Sequence, residues 1–163
     1  ARDAWQWFSH LLVQFISQQV KKKASDTLFL ITSDHGQIPS NISPKYEIRN
    51  DQQFMGYLMM PPSGESRLPY VFVKEKKQAA FQQYLQQRWA DEFTLVPTNH
   101  MIASGIFGTK EITSKIRSRM GNFIALPRGN AYWWWADKDN HLLGRHGGFS
   151  AQEMLTPFLL LSL

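Results

Sequence analysis

Thr27-Leu28-Phe29-Leu30-Ile31-Thr32 runs directly into Ser33-Asp34-His35-Gly36. The first six residues are apolar and partly β-branched, without alternation. Their length and composition predict a strand buried on both faces. Ser33 to Gly36 then falls at the carboxyl end of that strand, where open α/β sheets bind ligands. Upstream, Trp5, Phe8, Leu12, Phe15, Ile16 and Val20 recur at helical spacing and predict an amphipathic helix over 3–22. A helix feeding a buried strand is the second half of a βαβ unit, whose first strand would precede Ala1. The start Ala1-Arg2-Asp3-Ala4-Trp5 has neither an initiator Met nor a signal-peptide pattern, so the sequence reads as truncated there.

Downstream, Gln37 to Asp51 reads as a loop, and Phe54 to Met60 fits a short helix or a strand equally well. Pro61-Pro62-Ser63-Gly64 reads as a turn. Strands are expected at Leu68–Val73 and Phe93–Val96, with a helix from Lys74 to Trp89 between them that buries Phe81, Leu85 and Trp89. Thr98 is placed to cap a short helix ending at Gly105. This strand–helix–strand–helix pattern over 68–105 predicts a small inserted α/β subdomain. A helix through Ile112, Ile116 and Met120 should stop at Gly121. Phe123–Leu126 and Ala131–Trp135 read as a hairpin about Pro127-Arg128-Gly129-Asn130. Ser150-Ala151-Gln152-Glu153 has the form of a capping box. Pro157 stops the helix that follows, and Phe158–Leu163 is a final strand.

The chain's 163 residues are enough for one domain with a core, and 43% apolar and 13% aromatic content exclude a disordered segment. No apolar run reaches the length of a membrane span. Cysteine is absent, which excludes disulfides and thiolate metal sites. That absence is compatible with any compartment and favours none; the compartment is left open, with the cytoplasm slightly favoured. Net charge is +5, but the cations are scattered. The one run, Lys21-Lys22-Lys23, sits where a helix ends and favours its dipole. It reads as solvated surface, and no specific nucleic-acid binding is expected.

The second chemical motif is His146-Gly147-Gly148-Phe149-Ser150. With Asp34 and His35 it supplies one carboxylate and two imidazoles, a donor set suited to zinc, manganese or iron. Taken singly, Asp34-His35-Gly36 is also what a turn after a strand carries, and His146 fits an incidental place in a glycine-rich loop. Gly36 would allow the turn that lets adjacent side chains reach one metal. His10, His100 and His141 have no ligand partner at metal spacing and read as surface or core. Trp133-Trp134-Trp135 could stack a nucleobase, but reads better as core. Arg67, Arg128 and Arg145 could approach a phosphate, and only Arg145, next to His146, has a positional argument for substrate binding. Glu153 reads as a capping residue.

Joined, Thr32-Ser33-Asp34-His35-Gly36-Gln37 and His146-Gly147-Gly148-Phe149-Ser150-Ala151-Gln152-Glu153-Met154-Leu155-Thr156-Pro157 resemble the alkaline phosphatase superfamily. The nearest branch is the type I phosphodiesterase/nucleotide pyrophosphatases, with bacterial PglZ-type relatives. Ser63 to Tyr70, Gly105 to Gly108 and Gly121 to Gly129 also match. The resemblance implies an α/β fold: the C-terminal part of an alkaline phosphatase-like three-layer sandwich with an inserted small α/β cap. Residues 1–39 would carry the core helix and metal-ligand strand, 40–110 the cap, and 111–163 the return to the core. It also implies a pair of divalent ions, zinc with manganese as the alternative. Asp34 and His35 fall on one metal and His146 on the other. The family's Thr or Ser nucleophile, an earlier Asp and an Asp-x-x-x-His segment have no counterpart in this chain, and are expected upstream. The implied reaction is hydrolysis of a phosphodiester or nucleotide pyrophosphate bond through a phospho-enzyme, with this chain alone inactive. A sister chemistry (sulfatase, phosphomonoesterase or phosphomutase) is a second possibility. A third is a non-catalytic module that keeps half the metal site and binds an anion or a partner. Cutting such a sheet would also expose an edge prone to self-association.

Overall fold

The computed structural model describes residues 2–20, 27–108 and 110–162. In chain order the elements are α1 (Arg2–Phe15), β1 (Leu28–Thr32), β2 (Ile38–Pro39), α2 (Gln52–Tyr57), β3 (Ser63–Glu65), β4 (Leu68–Val71), α3 (Gln78–Trp89), β5 (Phe93–Pro97), α4 (Thr98–Ala103), α5 (Ser114–Arg117), β6 (Phe123–Pro127), β7 (Gly144–Arg145), α6 (Ala151–Met154) and β8 (Phe158–Ser162). They form two compact units, Ala1–Asp34 with Thr156–Leu163, and His35–Leu155.

In the first unit the predicted helix is present, continued past Phe15 by a π-turn over Ile16–Val20. Phe15 meets Phe29 edge-on at 6.4 Å, which ties the helix to β1. Lys21-Lys22-Lys23 and the polar stretch to Asp26 lie outside the described residues. β1 pairs antiparallel with β8, Leu28 opposite Ser162 and Thr32 opposite Phe158. Burial on both faces, expected for this strand, is not what the structure has. Phe29 and Ile31 are half-buried, while Leu28 and Leu30 are 62% and 53% exposed. A two-stranded ribbon has too few neighbours to cover both of its faces. Of the helix stripe, Trp5, Phe8 and Phe15 are exposed, Leu12 and Val20 are half-buried and Ile16 is buried; no residue of α1 itself is buried.

The second unit is built on an antiparallel sheet of order β3-β4-β6-β5. The predicted strand–helix–strand–helix run is there as β4, α3, β5 and α4, but β4 and β5 are not neighbours. β6 lies between them, with Ile124 opposite Tyr70 on one side and Val96 on the other. The sheet therefore draws strands from both sides of residue 110. Phe123–Pro127 is a central strand and not one arm of a hairpin. Ala131–Trp135 forms no strand and passes through the core, where Trp133 N–H donates to Ser66 O and Trp134 N–H to Tyr46 O. Trp133 is fully buried and packs against Phe54, Trp89 and Phe93, so the tryptophan run is core.

Local readings shift for local reasons. The predicted loop 37–51 contains β2 and two 3₁₀ turns, Pro44–Tyr46 and Ile48–Asn50. The ambiguous 54–60 segment is helical only to Tyr57, as α2, where Asp51 caps it by accepting from Phe54 N–H at 2.9 Å, and Leu58 then bridges Val73. Ser63 and Gly64 belong to β3 and not to a free turn. Thr98 does not cap α4. Pro97 holds that position, and the Thr98 hydroxyl donates to Met120 O. The helix predicted through 112–120 contracts to α5, capped by Thr113.

Candidate functional site

Two residues of pairing bring the distant motifs together. In the β2–β7 ladder Ile38 faces Arg145 and Pro39 faces Gly144, and Ser40 N–H extends it to Leu143 O at 2.8 Å. Just beyond the ladder, His35 and His146 stack with ring centroids 3.7 Å apart and planes 17° from parallel. His35 is exposed and His146 half-buried. His35 Nδ1 lies 2.8 Å from Gly36 O. A carbonyl oxygen only accepts, so Nδ1 is the donor in this contact. Asp34 is exposed and is the last residue of the first unit's leading segment. Among the described residues, no three His, Asp or Glu side chains gather into a cluster able to hold a metal.

The glycines of both motifs mark close approaches. Gly36 N–H donates to Glu153 O at 2.8 Å, and a Cβ at Gly36 would overlap the Gln152 carbonyl. Gly148 N–H donates to the Glu153 carboxylate at 2.9 Å, and a Cβ there would sit 2.7 Å from Glu153 Oε2 and 3.0 Å from Arg67 Nη2. Each histidine loop is thus pressed against the same residue of α6. Gly36→Ala should push the His35 loop off α6 and lower stability by about 1–3 kcal/mol, the range for overpacking. Thermal unfolding measures that loss.

Glu153 is not the capping residue that its spacing from Ser150 predicts. The Ser150 hydroxyl donates to Glu153 Oε2 at 2.6 Å and does not accept from the α6 backbone. The carboxylate instead meets Arg67 in a two-pronged ion pair, Nε to Oε1 at 2.9 Å and Nη2 to Oε2 at 2.6 Å. Both side chains are 1% exposed. Arg67 Nη1 donates to Gly129 O and Ala131 O at 2.8 and 2.5 Å. Burial alone would raise the Glu153 pKa. The hydrogen bonds from Arg67, Ser150 and Gly148 outweigh it and hold the carboxyl at about 2. Sequence reasoning missed this pair. Its one signal was an Arg set beside the apolar start of β4, and nothing in the sequence names its partner.

Arg145, expected near a phosphate, is buried. Its guanidinium lies 3.7 Å from the Tyr132 ring centroid and donates to Ser66 Oγ and Asn140 Oδ1. Its neighbour in sequence faces His35, but alternation along β7 sends Arg145 into the core. Arg128 remains exposed and donates to Thr94. His10, His100 and His141 are all exposed.

The chain matches no protein-family model and no curated protein. Among solved structures, murine ectonucleotide pyrophosphatase/phosphodiesterase 5 aligns with a TM-score of 0.60 at 21% identity, over 93% of this chain and 38% of that one. The human protein of the same name gives 0.59 at 20% identity, over 91% and 37%. The fold is, in part, that of an ectonucleotide pyrophosphatase/phosphodiesterase. An inactive form of the murine protein in complex with AMP gives 0.56 at 21% identity, over 93% and 38%. The chain therefore spans little more than a third of the length of these ectonucleotide pyrophosphatase/phosphodiesterase structures. The mixed helix-and-sheet architecture that the resemblance implied aligns with these structures over 91–93% of this chain. No helix among the described residues is long and apolar enough to cross a membrane.

Proposed function

We propose that this chain is the C-terminal portion of a metal-dependent phosphodiesterase or nucleotide pyrophosphatase. The observation that carries the reading is the stacking of His35 on His146, two residues from separate motifs, within a fold shared with ectonucleotide pyrophosphatase/phosphodiesterases. An imidazole whose tautomer is fixed by a backbone carbonyl is prepared for a metal at its other nitrogen. Near-parallel rings do not converge their in-plane lone pairs on one ion between them, and suit one ion each. The reading gives Asp34 and His35 to one ion and His146 to the other. Zinc fits carboxylate and imidazole donors, and so does manganese. A metal pair supplies charge stabilisation at the attacking and leaving oxygens of an in-line displacement. This chain's part is to hold its three ligands in place.

The nucleophile and remaining ligands are assigned to residues outside this chain, so the chain alone is inactive in this reading. Its substrate is a phosphodiester or nucleotide, a class supported by the structural neighbour in complex with AMP. The exposed apolar side chains of α1, β1 and β8 are the surface that the rest of such a domain would cover. In isolation the same surface would favour self-association.

The deciding experiment is turnover of bis(4-nitrophenyl) phosphate by the full-length gene product. Hydrolysis that a chelator stops and zinc or manganese restores is the expected result. Absence of metal-dependent hydrolysis in the full-length product would overturn the reading. So would robust turnover by the 163-residue chain alone.

A further inference from the structure

Glu153 takes no part in the proposed chemistry, yet it contacts both loops that carry the histidines. Its backbone carbonyl accepts from Gly36, one residue after His35, at 2.8 Å. Its carboxylate accepts from Gly148, two residues after His146, at 2.9 Å. α6 is a single turn of four residues, too short to fix itself. What fixes it is Arg67, which grips the carboxylate with two hydrogen bonds and is anchored to the Gly129 and Ala131 carbonyls. Two consecutive glycines give the His146 loop wide conformational freedom. A charge-assisted hydrogen bond to Gly148 N–H selects one conformation from that range.

We propose that Glu153 is the positioning residue that sets His35 against His146, with Arg67 locking it to the segment that follows β6. What the aligned rings then do rests on the metal-site reading above. The alignment itself needs no metal and can be read on the chain as it stands. It also gives the β3–β4 turn, through Arg67, a route to the geometry of the site.

The test compares Glu153→Gln with Phe54→Leu, a core substitution outside the site, in the 163-residue chain. Glutamine keeps the shape but turns one oxygen into an NH₂ group facing the Arg67 guanidinium, so the two-pronged pair fails. The readout is the nuclear Overhauser effect between the His35 and His146 ring protons, below the melting temperature of each variant. The expected result is a strong cross-peak in the parent and in Phe54→Leu, lost in Glu153→Gln. Ser150→Ala, which removes one donor to the same carboxylate, should weaken the cross-peak in the same direction even if Glu153→Gln does not fold. An unchanged cross-peak in folded Glu153→Gln would overturn the proposal, as would an unchanged cross-peak in Ser150→Ala or an equal loss in Phe54→Leu. Zinc titration of the parent sample reads the metal assignment separately. A parent chain with the cross-peak but no zinc binding would count against the metal assignment and leave the positioning role standing.

Discussion

Arg67→Ala should lower the unfolding free energy by about 3–5 kcal/mol, the usual result of removing one partner from a buried ion pair. The Glu153 carboxylate would remain 1% exposed with its main countercharge gone. The Gly129 and Ala131 carbonyls would lose their donor as well. Replacing both charges by methionine should cost less than the sum of Arg67→Met and Glu153→Met, because no lone charge is then left buried. Urea denaturation of the four proteins in this cycle measures the coupling. A coupling near zero would mean that the pair holds nothing that its hydrogen-bonded neighbours do not.

The same pair sets an acid dependence whose sign follows from the direction of the shift. The folded Glu153 carboxyl titrates at about 2, below its ordinary value of 4.5. The unfolded chain therefore takes up this proton first as pH falls. Stability from this group is fully present above about pH 4.5 and is lost on descent towards pH 2, by about 3 kcal/mol in total. Other carboxylates titrate in the same window, so the informative quantity is the difference between the parent and Arg67→Ala. Without Arg67, burial acts on the carboxyl with less to oppose it, and the variant's stability should fall less steeply over that interval.

The sequence made the two histidine motifs legible because each couples a chemical group to a backbone requirement. Gly36 reads from the sequence as permitting a turn, whereas in the structure glycine is required there and at Gly148 because a Cβ would collide with Gln152 and Glu153. The helix and strand periods were legible for the same reason: α3 buries Phe81, Leu85 and Trp89 as its 3.6-residue spacing demands. Pairing between distant strands was not. Nothing local in Phe123–Pro127 distinguishes a central strand from a hairpin arm, since both are short apolar runs. The outcome is set by the β4 and β5 edges that receive it. Burial of β1 was overread for a related reason. Its composition reports the environment it suits, whereas its exposure here reports a ribbon with one partner strand. Arg67 and Glu153 were illegible as a pair because an ion pair between distant residues leaves no spacing to detect, and Glu153 three residues after Ser150 satisfied a simpler local rule.

For the full-length gene product, His35→Ala and His146→Ala should each lower kcat/KM for a nucleotide phosphodiester by about a thousandfold. The estimate follows from the several kcal/mol that one catalytic metal contributes, since about 4 kcal/mol corresponds to a thousandfold. The double variant should lose little more than the worse single one. If each ring serves one ion of a pair, loss of either ion breaks the clamp on the displacement, and the second loss removes something that no longer acts. Excess zinc should restore part of the activity of a single variant, where one ligand of one ion is missing. It should restore less in the double variant, where both ions have lost a ligand. His10→Ala, His100→Ala and His141→Ala, at exposed positions, should leave kcat/KM unchanged. Multiplicative losses in the double variant would instead mean that the two rings act independently, which the 3.7 Å stacking argues against. Activity that survives both changes would remove the histidines from the chemistry altogether and leave the shared fold as the sole link to phosphodiester hydrolysis.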